Sequence, residues 1–129
     1  MLKVNGIHHI AIISSDYEIS KKFYMEVLGF EIEQEVFREA RNSWKLDLKV
    51  AGKYQIELFS FPNPAPRPSR PEAAGLRHLA FEVNDLEEAM LFLSTKNVAT
   101  EPIRIDEFTG KRFTFFTDPD GLPLELYEV

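Results

Sequence analysis

The chain has 129 residues and a net charge of −6, and its composition is 44% hydrophobic and 28% charged. This length predicts one domain, residues 1–129, and the composition is that of a globular protein. The acidic balance, the scattered basic residues and the lack of a long apolar run or a signal sequence argue against nucleic acid and membranes as partners, and they predict a cytoplasmic protein.

The first predicted module, residues 1–61, has the order strand, helix and three strands. Its first strand lies in the segment HIAIIS, and Asp16 is predicted to cap a helix that Gly29 ends in a left-handed conformation. Three apolar residues of this helix recur at a spacing of four and are expected to share its inward face: Ile19, Phe23 and Val27. The three further strands are predicted around residues 31–37, 45–50 and 55–61.

A proline-rich connector, residues 62–75, separates this module from the second. It contains five of the eight prolines, which favours an extended, semi-rigid segment.

The second predicted module, residues 76–129, repeats the order of the first. Its first strand lies in RHLAFEV, and its helix is predicted to begin after Asp85 and to end at Asn97. Three helix residues are expected to point inward: Leu86, Ala89 and Leu93. The later strands are predicted near residues 101–105, 112–117 and 123–129. The segment DPDG, residues 118–121, is predicted to be the turn between the last two strands; it lacks the alternating oxygen ligands of a calcium loop.

The two modules match each other in order over nearly sixty residues. His9 matches His78, Asp16 matches Asp85 and Phe23 matches Phe92, each at an offset of 69, whereas Glu57 matches Glu125 at an offset of 68. This change indicates that the modules differ by one residue near the end of the helix. The pattern favours an internal duplication and an α+β fold of two βαβββ modules.

Four polar residues are expected on the strand faces that point away from the core: His9, Glu57, His78 and Glu125. Taken singly, each has a structural explanation, such as a hydrogen-bonded histidine or a solvated glutamate. Duplication changes this, because a pseudo-twofold axis would bring one His and one Glu from each module to a common point. A divalent cation would offset the burial of two carboxylates. With no cysteine in the chain, such a set suits Zn, Ni, Co, Mn or Fe.

At these residues the chain resembles the vicinal oxygen chelate superfamily, the group of glyoxalase I, bleomycin resistance proteins and extradiol dioxygenases. The resemblance rests on the stretches HHIAIISSD, FYMEVLGF, QIELF, RHLAFEV and FFTDPDGLPLELYE, which together span nearly the whole chain. It implies that the two modules form a cupped mixed β-sheet around a metal. It also implies four metal ligands, as in glyoxalase I: His9, Glu57, His78 and Glu125.

The resemblance implies a metal-dependent lyase or isomerase whose small-molecule substrate chelates the metal through two neighbouring oxygens. Glu125 is the first candidate for the catalytic base and Glu57 the second. Homodimers are common in the family, and a site can lie within one chain or be shared between two.

The chain departs from the family patterns at several positions, so activities other than that of glyoxalase I remain open. Ile13 and Phe61 stand where bacterial glyoxalase I enzymes carry residues for glutathione, so glutathione use is not expected. Extradiol dioxygenases carry His at the position of Glu57. The fosfomycin-resistance branch, which transfers a thiol, has Thr at the position of Ala11, and it remains an alternative. A further alternative is a non-catalytic protein that binds a small molecule.

Other polar residues have weaker interpretations. Four basic residues are candidates for anchoring a carboxylate or phosphate, or are solvated charges on an edge strand: Arg38, Arg41, Lys111 and Arg112. Strand alternation places His8 on the face opposite His9, and Tyr54 is expected in the core or an interface.

Overall fold

Each half of the chain forms its own four-stranded mixed sheet with one main helix. A computed structural model describes all 129 residues and divides them into a first unit, residues 1–66, and a second unit, residues 67–129. No helix is both long enough and apolar enough to span a membrane.

The first unit has the predicted order of elements. Its helix α1 covers Tyr17–Lys22, and its strands are β1 (Ile10–Ser14), β2 (Glu31–Arg38), β3 (Ser43–Val50) and β4 (Lys53–Ser60). The strands lie in the sheet in the order β1-β4-β3-β2, with β1 parallel to β4 and the other pairs antiparallel. The last strand of the unit therefore lies beside the first.

The second unit repeats this topology. Its helix α2 covers Leu86–Thr95, and its strands are β5 (Leu79–Val83), β6 (Arg104–Ile105), β7 (Arg112–Thr117) and β8 (Pro123–Glu128). The sheet order is β5-β8-β7-β6, with β5 parallel to β8. The α+β class and the two βαβββ modules are thus confirmed. The strand predicted over residues 101–105 is shorter than expected.

Both helix caps form as predicted. Asp16 Oδ1 accepts a hydrogen bond from Ile19 N at 3.2 Å, and Asp85 Oδ1 accepts one from Glu88 N at 2.9 Å. The left-handed backbone expected after each helix is present, with φ of 74° at Gly29 and 59° at Asn97. The capping residues therefore set where each helix begins and ends.

A π-helical turn, Phe23–Val27, follows α1 and has no counterpart after α2. Within it, Leu28 N donates to Phe23 O at 3.1 Å, a bond across five residues. Such a turn accommodates one residue more than a regular α-helix does. The one-residue difference between the modules is therefore located in this turn.

The inward face of α1 is only partly the predicted one. Phe23 is buried and Val27 is half-buried, as expected. Ile19 is 56% exposed, whereas the buried side chains include Tyr17, Ser20 and Tyr24. At an offset of 69 these three match the inward residues of α2, of which Leu86 and Leu93 are buried and Ala89 is half-buried. Hydrophobicity alone missed these three positions of the first module, because they are occupied by Tyr, Ser and Tyr.

The turn at residues 118–121 also forms as predicted. Asp118 Oδ1 accepts hydrogen bonds from Asp120 N and Leu122 N, each at 2.9 Å, and Gly121 has a φ of 81°. Its carboxylate thus holds the turn that leads from β7 into β8.

Candidate metal-binding site

The parallel strands of the first unit bring His9 and Glu57 together. β1 and β4 pair with Ala11 opposite Glu57, and His9 immediately precedes β1. Ile56 and Leu58 are buried in the core, and strand alternation turns Glu57 to the other side. There, His9 Nε2 lies 3.4 Å from Glu57 Oε1.

The carboxylate of Glu57 is buried and held by two further groups. Tyr54 donates its hydroxyl hydrogen to Oε2 at 2.6 Å, and Lys45 Nζ lies 3.5 Å from the same oxygen and 2.7 Å from Asp47 Oδ1. Burial opposes the ionisation of Glu57, but the hydrogen bond from Tyr54 and the charges of Lys45 and His9 outweigh it and lower its pKa. Oε2 is therefore engaged, and Oε1 faces His9.

Tyr54, which the sequence predicts in the core or an interface, is half-buried and contacts the pair of His9 and Glu57. Its hydroxyl contacts Glu57, and its ring centroid lies 5.8 Å from that of His9. The pairing of β4 with β3 skips Gln55, which forms a β-bulge. The extra residue breaks the period of two and brings Tyr54 and Glu57 to one face. Alternation alone could not have revealed this contact.

His8 also contacts the site, contrary to the prediction. The regular strand begins only at Ile10, so the alternation does not extend back to His8. The Nδ1 atoms of His8 and His9 lie 2.8 Å apart, which allows one ring to donate to the other. This contact leaves the Nε2 atom of His9 directed at Glu57.

The second unit forms the equivalent pair. β5 and β8 are parallel, with Ala80 opposite Glu125, and His78 immediately precedes β5. His78 Nε2 lies 2.9 Å from Glu125 Oε2, and the His78 ring stands edge-on to the ring of Phe115 at 5.0 Å. Glu125 is buried, with 7% of its surface exposed.

The two carboxylates have unlike neighbours. Asp47 lies opposite Glu57 on the adjacent strand, whereas Phe115 lies opposite Glu125. No hydrogen bond corresponding to that from Tyr54 reaches Glu125, whose polar contact is His78. Glu125 is therefore less restrained than Glu57.

Each pair offers one imidazole nitrogen and one carboxylate oxygen, a donor set that fits a divalent first-row metal. The Oε1 atom of Glu57, which faces His9, and the short distance between His78 and Glu125 are compatible with this role. Neither pair has a third His, Cys, Asp or Glu side chain placed to complete a site. Each unit thus contributes two of the four predicted ligands.

Arg112 is occupied by carboxylates within the second unit. It donates two hydrogen bonds to Glu128, at 2.9 and 2.8 Å, and a third to Glu87 at 3.2 Å, and these bonds raise its pKa. Of its two predicted roles, an anion anchor or a solvated charge, Arg112 has neither, because these contacts give it a structural role. Lys111 beside it is exposed.

Arg38 lies over two aromatic rings, one in β4 and one just after it. Its guanidinium carbon is 4.8 Å from the ring centroid of Phe59 and 5.7 Å from that of Phe61, and it donates to Ser43 Oγ at 3.0 Å. This stacking favours a packing role for Arg38. Arg41 is exposed on the short turn after β2.

The sequence matches one protein family over most of its length. The family model of the Glyoxalase/Bleomycin resistance protein/Dioxygenase superfamily covers residues 6–126. Uncharacterized protein YwkD of Bacillus subtilis is 64% identical, over 97% of this chain and 98% of its own. Uncharacterized protein YaeR of Escherichia coli is 62% identical, over 99% of each chain.

Solved structures agree with this match. The glyoxalase family protein from Enterococcus faecalis is 53% identical with a TM-score of 0.89, over 96% of this chain and 98% of its own. A mutant of FosX, a fosfomycin resistance protein from Listeria monocytogenes complexed with Mn(II) and 1S,2S-dihydroxypropylphosphonic acid, shares the fold at 19% identity. Its TM-score is 0.76, over 98% of this chain and 94% of its own.

A more distant relative has a named activity. The 2-epi-5-epi-valiolone epimerase of an Actinomyces species is 28% identical, over 96% of this chain and 79% of its own. Together with the paired βαβββ topology, these matches confirm the resemblance. The chain belongs to the Glyoxalase/Bleomycin resistance protein/Dioxygenase superfamily and has its glyoxalase-like α+β fold.

Proposed function

We propose that the chain is a metal-dependent lyase or isomerase of the glyoxalase I type, acting on a small substrate with two neighbouring oxygens. The observation that carries the proposal is the repeated donor pair: in each unit, a His Nε2 and a Glu oxygen lie 3.4 or 2.9 Å apart at the same point of the same topology. Chance placement of isolated structural residues does not explain this repetition.

The four ligands of the proposed site are His9, Glu57, His78 and Glu125. A divalent metal bound there would supply Lewis acidity and a template for the substrate oxygens. The two units that complete a site belong either to one chain or to two copies of it, as in a homodimer.

The unlike surroundings of the two glutamates support different roles. Glu57 is fixed by Tyr54 and Lys45, which suits a permanent ligand. Glu125 has only His78 as a polar contact and suits a general base that takes a proton from one substrate carbon and returns it to the neighbouring carbon. The related epimerase, whose name denotes inversion at a carbon, favours such a proton transfer.

Metal analysis tests the site. The chain is dialysed against Zn²⁺, Ni²⁺, Co²⁺, Mn²⁺ or Fe²⁺ in turn, and bound metal is measured by mass spectrometry. One ion per chain is expected for at least one metal, and His9→Ala and His78→Ala should each abolish it. If none of the five metals binds, or if each histidine variant keeps half of the metal, the four-ligand site is wrong.

Turnover tests the chemistry. Methylglyoxal is offered to the metal-loaded chain with and without several thiols, and Glu125→Gln is expected to lower the rate by roughly 10²- to 10⁴-fold with the fold intact. Glu82→Gln is the matched control, since Glu82 is an exposed carboxylate on β5. An unchanged rate in Glu125→Gln would exclude Glu125 as the base. Absence of turnover with every thiol would exclude methylglyoxal as the substrate and leave the metal site standing.

Thiol transfer to an epoxide antibiotic is a second candidate, favoured by the shared fold of FosX. A strain that expresses the chain would then survive fosfomycin, and survival would require His78. The third candidate, a non-catalytic binding protein, predicts ligand affinity that His9→Ala and His78→Ala leave unchanged.

A further inference from the structure

A cavity of about 700 Å³ lies beside His78 within the second unit. This volume is in the range of small-molecule sites. Four arginines line it: Arg67, Arg70, Arg77 and Arg104. A smaller hollow of about 410 Å³ is also lined by His78 and includes Glu125. The arginine-lined cavity therefore adjoins the second His–Glu pair.

The cavity has an excess of positive charge in an acidic unit. Residues 67–129 contain twelve Asp and Glu but only seven Lys and Arg, and four of those seven line the cavity. Two carboxylates line it as well, and each already has a partner. Glu72 lies 2.6 Å from Arg77, and Glu101 lies 2.7 Å from Arg104. The other two arginines remain without a carboxylate, and a concave surface concentrates their field.

These two arginines have different surroundings. Arg67 donates its Nε hydrogen to Ser69 Oγ at 2.8 Å and its Nη2 hydrogens to the carbonyls of Leu76 and Arg77. It thereby ties the connector to the segment just before His78. Arg70 is exposed and has neither a hydrogen bond nor an ion pair. Its guanidinium donors are therefore available to a ligand.

Aromatic rings link one of the cavity's arginines, Arg104, to the second donor pair. The Arg104 guanidinium lies over the rings of Phe113 and Phe115, at 5.3 and 5.2 Å, and Phe115 in turn contacts His78. A ligand that reaches from the arginines to His78 along these rings needs an anionic group at one end and an uncharged body against the rings.

We propose that the cavity binds an oxyanion group of the substrate, a carboxylate or a phosphate ester. Arg70 is the contact residue and Arg67 a positioning residue. A guanidinium group matches both oxyanions through paired N–H donors. The inference rests on the proposed function, because it assigns the reacting oxygens of the same substrate to the site of His78 and Glu125. It narrows the substrate to small anionic molecules.

Calorimetric titration of the chain with inorganic phosphate and with malonate tests this inference. The titrations use EDTA-dialysed protein, so that anion binding to a metal contributes nothing. Saturable binding of one anion per chain is expected, and Arg70→Gln should weaken it by about tenfold or more. Arg70→Lys keeps the positive charge but lacks the planar guanidinium group. Its affinity for the anion should lie between those of the unmodified chain and Arg70→Gln. Tighter binding of phosphate indicates a phosphate ester, and tighter binding of malonate indicates a carboxylate.

Arg41→Gln is the matched control, because Arg41 is an exposed arginine of the first unit. It should change the affinity by less than about twofold. No saturable binding of either anion, or equal losses in Arg41→Gln and Arg70→Gln, would overturn the inference. Metal binding without anion binding rejects this inference alone, whereas anion binding without metal binding rejects the proposed metal site and leaves the anion cavity standing.

Discussion

Glu57 and Glu125 hold equivalent positions in the two units, yet Glu57 is held by more polar neighbours than Glu125 is. The difference originates in single residues: Tyr54 and Lys45 hold Glu57, whereas Phe115 lies beside Glu125. A duplicated fold can thus give two identical side chains different freedom of movement. In the proposed enzyme, Glu57 would serve as a permanent metal ligand and Glu125 would transfer the proton.

Tyr54→Phe should weaken metal binding by roughly 10- to 100-fold and leave the fold unchanged. The hydroxyl bond to Oε2 orients the carboxylate so that Oε1 faces His9, and this orientation is lost in the variant. Competition with a fluorescent chelator would measure the affinity.

Tyr17→Phe is the matched control, since Tyr17 also donates its hydroxyl hydrogen to a carboxylate, that of Glu35, outside the donor pair. It should cost about 1–3 kcal/mol of unfolding free energy and leave metal affinity unchanged. Equal metal affinity in Tyr54→Phe and the unmodified chain would show that Tyr54 does not orient Glu57.

At the scale of elements, one carboxylate joins β8, β7 and α2. Glu128 accepts hydrogen bonds from Arg112 on β7 and from Leu86 N at the start of α2, and these bonds hold its pKa at about 2. Because the folded-state pKa is lower than the ordinary value of 4.5, its contribution to stability is complete above pH 4.5 and is lost as the pH falls towards 2.

Glu128→Gln should therefore flatten the decline of stability between pH 4.5 and about 2. Urea midpoints measured across this range for the variant and for Glu82→Gln would check it. If stability falls as steeply with pH in Glu128→Gln as in Glu82→Gln, Glu128 is not the source of the decline.

The π-helical turn after α1 should tolerate the loss of one residue. Deletion of the exposed Glu26 should convert the turn to regular α-helix, because the turn holds one residue in excess of the α2 module, and the chain should still fold. Deletion of the exposed Leu91 in α2 is the control. It rotates the following residues by about 100°, turns Leu93 out of the core and should cost about 2–5 kcal/mol. Thermal melts would measure the stability of the two deletion variants. Equal losses of stability in both would contradict the prediction.

Alternation and duplication predicted the topology and the meeting of one His with one Glu in each unit, and local irregularities account for the errors. Ile56 and Leu58, the strand neighbours of Glu57, are buried in the core, as the alternation around Glu57 requires. Alternation did not reveal the contact of Tyr54 with Glu57, because a bulge shifts the phase by one residue, and it failed at His8, which precedes the regular strand. A bulge depends on cross-strand pairing that no local pattern encodes. The error at Ile19 was avoidable, since its counterpart Glu88 in α2 is exposed.

At the scale of the whole molecule, the proposed four-ligand site would take its ligands from two units, which belong either to one chain or to two. Co-expression of His9→Ala with His78→Ala distinguishes these arrangements. If sites are shared between copies, about a quarter of the wild-type metal content is expected, because half of randomly formed dimers are mixed and have one intact site. If each site lies within one chain, no metal is expected. Each variant expressed alone should bind no metal in either arrangement. The metal content of the purified mixture therefore distinguishes a shared site from a site within one chain.

The position of the last strand of each unit beside the first has a consequence for the order of assembly. In the first unit Ile10 pairs with Ile56, and in the second Leu79 pairs with Leu124, so each parallel pairing closes a long stretch of chain. Such nonlocal pairings are slow to form. Because each His–Glu pair has one member on either side of this closure, metal affinity should arise only at the end of folding. A metal ion that binds only the folded state would then lower the unfolding rate, and the decrease would follow the fraction of chains that hold the ion.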